Sequence, residues 1–357
     1  MSVWRWPDLV EGIAGAHRFS LGEGETPLVR SRRIGPGVGL ERLYFKVESA
    51  NPTGSYKDRF GARAVASMVT AGASRCLATS SGNTGAALAA YCAIAGLPCE
   101  IAIVETAPAA KLTQMLAYGA QIYRVRGFGT DAATTTAVME HLRTRTARPG
   151  ISLQISAYRY SAPGMRGVQS LAYELAEQLP EGLDHVFCPA GGGGLTLAVA
   201  RGFEHLAAVA RLARRPRIEC VQPEGNDTIA GPLRAGDPSA RAVVGATRVS
   251  GLQVPDVIDG HETLAACRAS GGTGHTAADA FTWELQARMA AEEGIFSEPA
   301  GAVALAGALQ AAARGEIRPD AVIVCLVTGS GFKDAPSVER MVADRECPMY
   351  TLADLQS

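Results

Sequence analysis

The sequence predicts an α/β protein whose strands form parallel sheets, and three observations lead to that prediction. Short apolar runs rich in β-branched residues alternate with longer alanine-rich runs along almost the whole chain. Strands that alternate with helices of this length form parallel sheets with both faces covered. The chain has 357 residues, enough for about two domains. Glycine accounts for 40 of them, well above its usual share of roughly 7%, so many turns need its conformational freedom.

The predicted elements follow these runs in order. Strands are predicted at residues 43–47, 76–79, 100–104, 121–125, 154–156, 185–188, 217–221 and 321–327. Helices are predicted at residues 55–70, 83–95, 108–118, 131–145, 167–178, 195–206, 276–293 and 301–314. In open parallel sheets, ligands bind beyond the carboxyl ends of the strands. The turns that lead from a strand into a helix are therefore where functional residues are expected.

Composition and charge exclude several classes of protein. Hydrophobic residues make up 47% and charged residues 19% of the chain, which is typical of a folded protein rather than a disordered one. The net charge is −1, so no strong field would attract nucleic acid or an anionic membrane. The most apolar long stretch, residues 86–104, contains Pro98 and Glu100 and is interpreted as a helix followed by a strand. We expect no nucleic-acid partner and no membrane association.

The eight cysteines indicate a reducing compartment. None of them forms a C-x-x-C pair, and most lie in apolar runs. This pattern favours reduced thiols in the core over disulfides or metal ligands. The N-terminal residues lack the basic and then apolar layout of a signal peptide. We therefore expect a cytoplasmic protein with no bound metal.

The first unusual turn reads NPTGSYKDR at residues 51–59. Proline and glycine favour a tight turn, and Ser55 is a candidate helix cap, so Lys57 falls in the first turn of the following helix. A cation at this end opposes the helix dipole, which favours the neutral amine that a lysine needs to form a Schiff base. Taken alone, a solvent-exposed lysine would be the better interpretation of this turn.

The second turn reads SSGNTG, from Ser80 to Gly85, and opens an alanine-rich helix. Hydroxyl groups, an amide and exposed backbone N–H groups at a helix start can bind a carboxylate. Simple capping by Ser81 or Asn83 is the alternative. The turn holds four polar side chains around two glycines, which exceeds what one cap requires, so a binding site is favoured.

Two further turns follow predicted strands. Four consecutive glycines, Gly191 to Gly194, lie between a strand and a helix, where backbone N–H groups and the helix dipole favour a phosphate. The run matches neither a nucleotide P-loop nor a dinucleotide fingerprint, and a flexible loop is the alternative. Thr328 follows the last predicted strand, so its hydroxyl would point to the ligand crevice; by itself this signal is weak.

These four turns, in this order, resemble those of the fold type II pyridoxal-phosphate enzymes, the group of tryptophan synthase β chains and threonine synthases. The segments LGEGETPL at residues 21–28, WRW at 4–6 and KLTQMLAYG at 111–119 are most similar to threonine synthases. The resemblance implies two open, twisted, mostly parallel sheets flanked by helices, with the active site between domains. It implies a large cofactor-binding domain of residues 1–70 and 165–357, a smaller mobile domain of residues 71–164 that binds the substrate carboxylate, and a homodimer.

The resemblance also implies roles for the residues of these turns. Lys57 would bind pyridoxal 5′-phosphate as an imine and then carry the α-proton of the substrate. Asn83 would contact the ring oxygen O3′, and Thr328 would contact the pyridine nitrogen. The phosphate would be bound by the backbone of Gly191, Gly192, Gly193, Gly194 and Leu195. The substrate carboxylate would be bound by Ser80, Ser81, Gly82 and Thr84. Glu298, in the motif EPAG, is interpreted as structural.

The implied substrate is O-phospho-L-homoserine or a related phosphorylated amino acid, from which phosphate is eliminated before water or another nucleophile is added. Such a substrate needs a second pocket for an anion. Lys111, near a helix start, and Arg159 are candidates for it, with solvated surface positions as the alternative.

Two features depart from the threonine synthase pattern. Ser156 and the segment PGMR at residues 163–166 differ from the usual residues, and the glycine loop looks more like that of serine/threonine dehydratases. Dehydratase-like β-elimination and cysteate-synthase-like β-replacement therefore stay open as alternatives. A catalytically silent relative that binds a small amino acid is a third.

Overall fold

The computed structural model describes residues 2–80, 82–105, 107 and 109–356, and it describes only the backbone of residues 109–111, 353 and 356. The strands are β1 (Leu28–Arg30), β2 (Leu43–Val47), β3 (Arg75–Thr79), β4 (Cys99–Ile103), β5 (Gln121–Arg124), β6 (Ile151–Gln154), β7 (His185–Pro189), β8 (Arg217–Pro223), β9 (Gly274–Ala277) and β10 (Ile323–Val327). The helices are α1 (Pro7–Val10), α2 (Lys57–Thr70), α3 (Asn83–Ile94), α4 (Ala109–Ala117), α5 (Ala132–Arg145), α6 (Tyr158–Val168), α7 (Ser170–Gln178), α8 (Gly194–Ala208), α9 (Ala230–Ala235), α10 (Gly260–Ala269), α11 (Asp279–Glu293), α12 (Pro299–Ala313), α13 (Ala335–Met341) and α14 (Leu352–Gln356). None of the described helices has both the length and the apolar character that crossing a membrane requires.

The strands form two mostly parallel sheets, as the sequence predicts. The larger sheet has the strand order β1-β2-β10-β7-β8-β9, and within it only β1 runs antiparallel to its neighbour. The smaller sheet has the order β5-β4-β3-β6 and is entirely parallel. The strands of the smaller sheet lie between residues 75 and 154. The chain therefore leaves the larger sheet after β2, builds the smaller sheet, and returns.

Helices enclose the central strands, which explains why those strands are apolar along their whole length. Every residue of β4, β7 and β10 is buried, as expected for strands covered on both faces. The alanine-rich helix α12 packs against β7, β8, β9 and β10. The cysteines are free thiols, and all except Cys347 are buried, in agreement with their apolar sequence surroundings.

A buried ion network fixes helix α2, which begins at Lys57. Arg59 is fully buried, and its guanidinium donates hydrogen bonds of 2.5–2.8 Å to the carboxylates of Glu48 and Glu174. Lys46 in β2 donates to Glu174 at 2.7 Å. Burial alone would raise the pKa of Glu174, but the two cations outweigh it and hold that pKa well below its usual range. Because buried charges require partners, the network ties α2 to β2 and α7.

One helix begins earlier along the chain than the sequence predicts. Helix α6 starts at Tyr158, whereas the predicted helix starts at residue 167. A proline such as Pro163 is not tolerated inside a continuous helix. The backbone at Ser161 is non-helical (φ −142°, ψ 55°), so two helical pieces meet at a kink and the proline lies in the first turn of the second piece. Gly167 lets α6 approach α2 closely, because a Cβ there would lie 2.1 Å from the carbonyl oxygen of Arg59.

The segment between β8 and α11 was also missed. It holds α9, α10 and β9, whereas the prediction begins a helix at residue 276. Strand β9 reads GHTA, which is too short and too polar to produce a strand signal by itself. It is a strand because it pairs with β8, with His275 opposite Val221. Tertiary pairing decides its conformation.

Candidate active site

A cavity of about 670 Å³, here called the central cavity, lies where strands of both sheets end. Residues that follow β3, β4, β6, β7 and β10 line it, as expected for ligand sites in open parallel sheets. The predicted site residues that line the cavity are Lys57, Ser80, Gly82, Asn83, Thr84, Gly191, Gly192, Gly193, Gly194, Leu195 and Thr328. Ser81 and the side chain of Lys111 lie outside the described part of the chain. The four predicted turns thus meet in one place.

Arg159 is the described residue of the predicted site that does not line the central cavity. Its amide donates to a carboxylate oxygen of Asp259 at 3.0 Å. Its side chain is exposed, with the guanidinium 5.9 Å from the ring centroid of Tyr160. The structure therefore does not bring Arg159 and Lys57 together.

Lys57 is the first residue of α2 and extends its amine into the cavity. Its Nζ donates hydrogen bonds to the hydroxyls of Tyr56 at 2.6 Å and Ser156 at 2.7 Å. Loss of hydration lowers the pKa of the Lys57 amine to about 7, against the opposing fields of the Glu298 and Asp259 carboxylates. A large fraction of the amine is therefore neutral near pH 7, the form that attacks a carbonyl carbon.

Backbone contacts join the lysine turn to the turn that holds Thr328. The amide of Tyr56 donates to the carbonyl oxygen of Thr328 at 3.0 Å, and the amide of Ser330 donates to that of Gly54 at 2.9 Å. Within the motif itself, Thr53 donates to the Asp58 carboxylate through its amide and its hydroxyl. Lys57 and Thr328 are therefore held on one rigid unit.

The glycine loop forms an anion cradle at the start of α8. Gly193 precedes the helix with a φ of 95°, a conformation that favours glycine. A Cβ at Gly193 would lie 2.3 Å from the hydroxyl oxygen of the buried Thr263. No described residue accepts a hydrogen bond from the amide N–H groups of residues 191–195. These donors, at the positive end of the dipole of a 15-residue helix, suit a phosphate.

Asn83, Thr328 and Glu298 meet on another wall of the cavity. The Asn83 amide donates to the two Glu298 carboxylate oxygens at 2.9 and 3.2 Å. The Thr328 hydroxyl donates to Glu298 at 3.4 Å. Glu298 is 4% exposed and lines the cavity. Glu298 therefore faces the cavity, whereas the sequence analysis interprets it as a structural residue.

The second turn contains both structural and open groups. The Ser80 hydroxyl accepts hydrogen bonds from the amides of Gly82 at 3.3 Å and Gly85 at 3.1 Å, so it stabilises the turn. The Thr84 and Ser156 hydroxyls are 2.8 Å apart, and Ser156 also binds Lys57. A continuous chain of polar groups thus runs from the lysine to this turn.

Three cavity residues were not predicted as functional, and their signals differ. Ser156 follows the carboxyl end of β6, so the strand-end rule that found Ser80 also applies to it. Tyr56 adjoins Lys57 in the motif, but nothing in the sequence places its hydroxyl near the amine. Arg248 lies in the segment between α9 and α10, and its guanidinium is 5.0 Å from the ring centroid of Trp283. Lys57 and Arg248 are the basic residues of the described cavity lining.

The donor set fits pyridoxal 5′-phosphate. The unpaired amides of residues 191–195 suit its phosphate, and the Lys57 amine, on the same cavity, suits its aldehyde carbon. Thr328, Asn83 and Glu298 offer polar groups for the ring nitrogen and the ring hydroxyl. The cavity therefore has groups for each polar end of this cofactor.

Comparisons with known proteins agree with this interpretation. The family model described as pyridoxal-phosphate dependent enzyme matches residues 19–329. The solved structure of threonine deaminase isoform 2 from tomato (Solanum lycopersicum) is similar to this chain, with a TM-score of 0.73 at 20% identity, and the match covers 97% of this chain and 94% of that one. Maize serine racemase is similar with a TM-score of 0.71 at 25% identity, covering 90% of this chain and 92% of that one. These structures share the fold.

The chain is also similar to curated threonine synthases. The threonine synthase of Methanosarcina acetivorans is 30% identical over 342 residues, covering 94% of this chain and 81% of the relative. The threonine synthase of a Synechocystis species is 32% identical over 343 residues, covering 93% and 85%. Similarity at this level extends over both sheets and all four turns. The chain belongs to the family of pyridoxal-phosphate-dependent enzymes and is a threonine-synthase-like lyase that uses this cofactor.

Proposed function

We propose that the protein eliminates phosphate from O-phospho-L-homoserine, or from a related phosphorylated amino acid, and then adds water or another nucleophile. The observation that carries this proposal is that the Lys57 amine and the unpaired amides of residues 191–195 share one cavity. The similarity to threonine synthases supports the same class of reaction.

These residues would hold the cofactor at both ends. The amides of residues 191–195 would donate to its phosphate, and the Lys57 amine would bond to its aldehyde carbon. Asn83 would contact the ring oxygen, and Thr328 would contact the pyridine nitrogen. When bound, pyridoxal phosphate accepts electron density from the substrate Cα, which makes the α-proton removable.

Lys57 would carry the α-proton of the substrate on its Nζ. A general base works best when its pKa is near the working pH, and the pKa of about 7 for Lys57 meets this condition. The hydroxyls of Tyr56 and Ser156, at 2.6 and 2.7 Å, orient its Nζ. The lysine therefore has a fixed direction of attack as well as a neutral form.

The substrate is bound between the two sheets. Ser80, Ser81, Gly82 and Thr84 bind its α-carboxylate, and residues 71–164 act as the smaller mobile domain that closes on the larger one, residues 1–70 and 165–357. Closure excludes water and strengthens the electrostatic contacts inside. Arg248, which already lines the cavity, binds the substrate phosphate together with Lys111. Arg159, whose exposed side chain lies outside the cavity, has no contact with the described residues that supports this role.

A panel of substrates tests this function. The purified protein is saturated with the cofactor and given O-phospho-L-homoserine, O-phosphoserine, serine and threonine, with release of phosphate and ammonia measured separately. We expect phosphate from O-phospho-L-homoserine. Ammonia from serine or threonine alone would favour the dehydratase-like alternative. Phosphate without ammonia from O-phosphoserine, with sulfite added as the incoming nucleophile, would favour the cysteate-synthase-like alternative. Absence of turnover would favour the silent relative.

Two variants control this test. Lys57→Ala removes the amine and is expected to abolish turnover. Lys333→Ala removes another half-buried lysine, whose amine contacts Gln114, and is expected to keep the absorbance band of the lysine-bound cofactor.

The implied homodimer stays a prediction that sedimentation velocity tests.

A further inference from the structure

Three cysteines from three successive elements, two strands of the smaller sheet and the helix between them, lie close together. Cys76 in β3 and Cys99 in β4 are register partners on adjacent parallel strands. Cys92 lies on α3, the helix that connects these strands. The three Sγ atoms all lie within 4.8 Å of one another. The cluster is thus built by one β-α-β unit, which a search for C-x-x-C pairs does not detect.

The cluster has a route to solvent. Cys76 and Cys92 are fully buried, whereas Cys99 is 7% exposed. Cys92 and Cys99 line a pocket of about 190 Å³, together with Leu97, Pro98 and Tyr118. None of the described residues lining this pocket carries a charge. The pocket therefore lies next to Cys92 and Cys99, and the other side chain with a polar atom among its described lining residues is that of Tyr118.

The geometry of the cluster distinguishes it from the other buried cysteines. Among the described residues, Cys76, Cys92 and Cys99 form a group of side chains close enough to bind one ion together. The buried Cys188 and Cys325 of the larger sheet belong to no such group among the described residues. Since the thiolate is the form that binds metals, an ion at the cluster would replace the hydrogen bond that the Cys76 thiol donates to the carbonyl oxygen of Leu77 at 3.6 Å.

We propose that Cys76, Cys92 and Cys99 form a three-sulfur site for one soft metal ion, Cu(I). Closely spaced sulfurs select soft ions. The donor group around them contains no fourth cysteine, histidine or carboxylate among the described residues. Structural zinc sites use four protein ligands, whereas Cu(I) is stable with three sulfurs. Binding changes no oxidation state: each thiol that becomes a thiolate releases its proton to solvent, and the ion forms its bonds to sulfur.

The site has a mechanical consequence for the smaller sheet. The bound ion joins the starts of β3 and β4 to the last turns of α3. The opposite end of the same β-α-β unit carries the turn of Ser80 and Asn83. This inference does not depend on the proposed reaction.

The test is an anaerobic competition titration of the cofactor-loaded protein with Cu(I) held by a colorimetric chelator. All variants are made in a Cys347→Ser background, because Cys347 is exposed and could bind copper by itself. We expect one Cu(I) per chain, and an affinity at least tenfold weaker in Cys92→Ala and in Cys99→Ala. Cys325→Ala, which removes a buried thiol of β10, is the matched control and should bind as the parent does.

A second measurement on the parent protein needs no cluster variant to fold. X-ray absorption of the copper-loaded protein should detect three sulfur neighbours and no nitrogen or oxygen neighbours. Absence of stoichiometric binding, equal binding by the cluster variants and Cys325→Ala, or a copper environment containing nitrogen or oxygen would each overturn the proposal.

Discussion

Replacing Gly193 with alanine tests the glycine loop as the cofactor phosphate site. The residue has a φ of 95°, where a side chain costs about 1–2 kcal/mol. The new Cβ would lie 2.3 Å from the Thr263 hydroxyl oxygen, which is fixed by hydrogen bonds to the carbonyl oxygens of Gly193 at 3.1 Å and Asp259 at 2.7 Å. Moving that hydroxyl away costs a further ~1–3 kcal/mol, the penalty of leaving buried polar groups unpaired.

These costs sum to about 2–5 kcal/mol, and the loop can relieve them only by moving the amides that bind phosphate. If they appear as lost binding energy, the cofactor affinity of Gly193→Ala falls by at least ~30-fold. The assay is an absorbance titration of the apoprotein with pyridoxal phosphate, with urea unfolding of the same apoprotein as the measure of stability.

The matched control is Gly182→Ala. Gly182 also has a positive φ, 113°, but a Cβ there would meet no atom within 4 Å, and it does not line the cavity. The control should lose stability through strain alone and keep its cofactor affinity. Wild-type affinity in Gly193→Ala would refute the assignment of the loop.

Three further predictions follow from the same contacts. The rate of cofactor attachment, measured by stopped-flow absorbance, should rise with pH through about 7, because only the neutral Lys57 amine reacts. Tyr56→Phe should shift the midpoint of this pH profile to lower pH, because it removes a hydrogen-bond acceptor at 2.6 Å that stabilises the ammonium form. An unshifted midpoint would contradict this role of Tyr56. Glu174→Gln should lower the free energy of unfolding, measured in urea, by about 3–5 kcal/mol, because it breaks a buried ion network. Glu177→Gln, on the exposed side of α7, should lower it by at most ~1 kcal/mol. Equal losses in the two variants would contradict the view that the buried ion pairs stabilise the fold more than the exposed one. Arg248→Ala should raise KM for a phosphorylated substrate about tenfold or more, as expected for the loss of one charge-assisted hydrogen bond, and should leave the absorbance band of the bound cofactor unchanged. An unchanged KM would exclude Arg248 from the anion pocket.

The parts of the site that sequence predicts are those carried by short local motifs. Lys57 and the four glycines each lie in a turn between a predicted strand and a predicted helix, so their meeting in one cavity follows from the parallel-sheet rule. Tyr56, Glu298 and Arg248 are placed at the cavity by contacts with Thr328, Asn83 and Trp283, which are distant in the sequence. Such contacts depend on tertiary packing, which no local pattern records.

The same division holds for the fold. Strands β4, β7 and β10 and most helices coincide with strong apolar runs, and the predicted elements occur along the chain in the predicted order. Strand β9 exists through its pairing with β8, and the first part of α6 exists despite Pro163 because of a kink at Ser161. The cluster of Cys76, Cys92 and Cys99 likewise requires strand register, so residue spacing alone does not reveal it.

The most direct test of the central claim maps the covalent bond between protein and cofactor. The cofactor-loaded protein is reduced with borohydride, digested, and analysed by peptide mass spectrometry, with Lys57→Ala and Lys333→Ala in parallel. We predict that the cofactor is found on Lys57 in the parent and in Lys333→Ala, and on no peptide of Lys57→Ala. Cofactor attached to Lys111 or Lys333 of the parent instead, or to none of its lysines, would contradict the account.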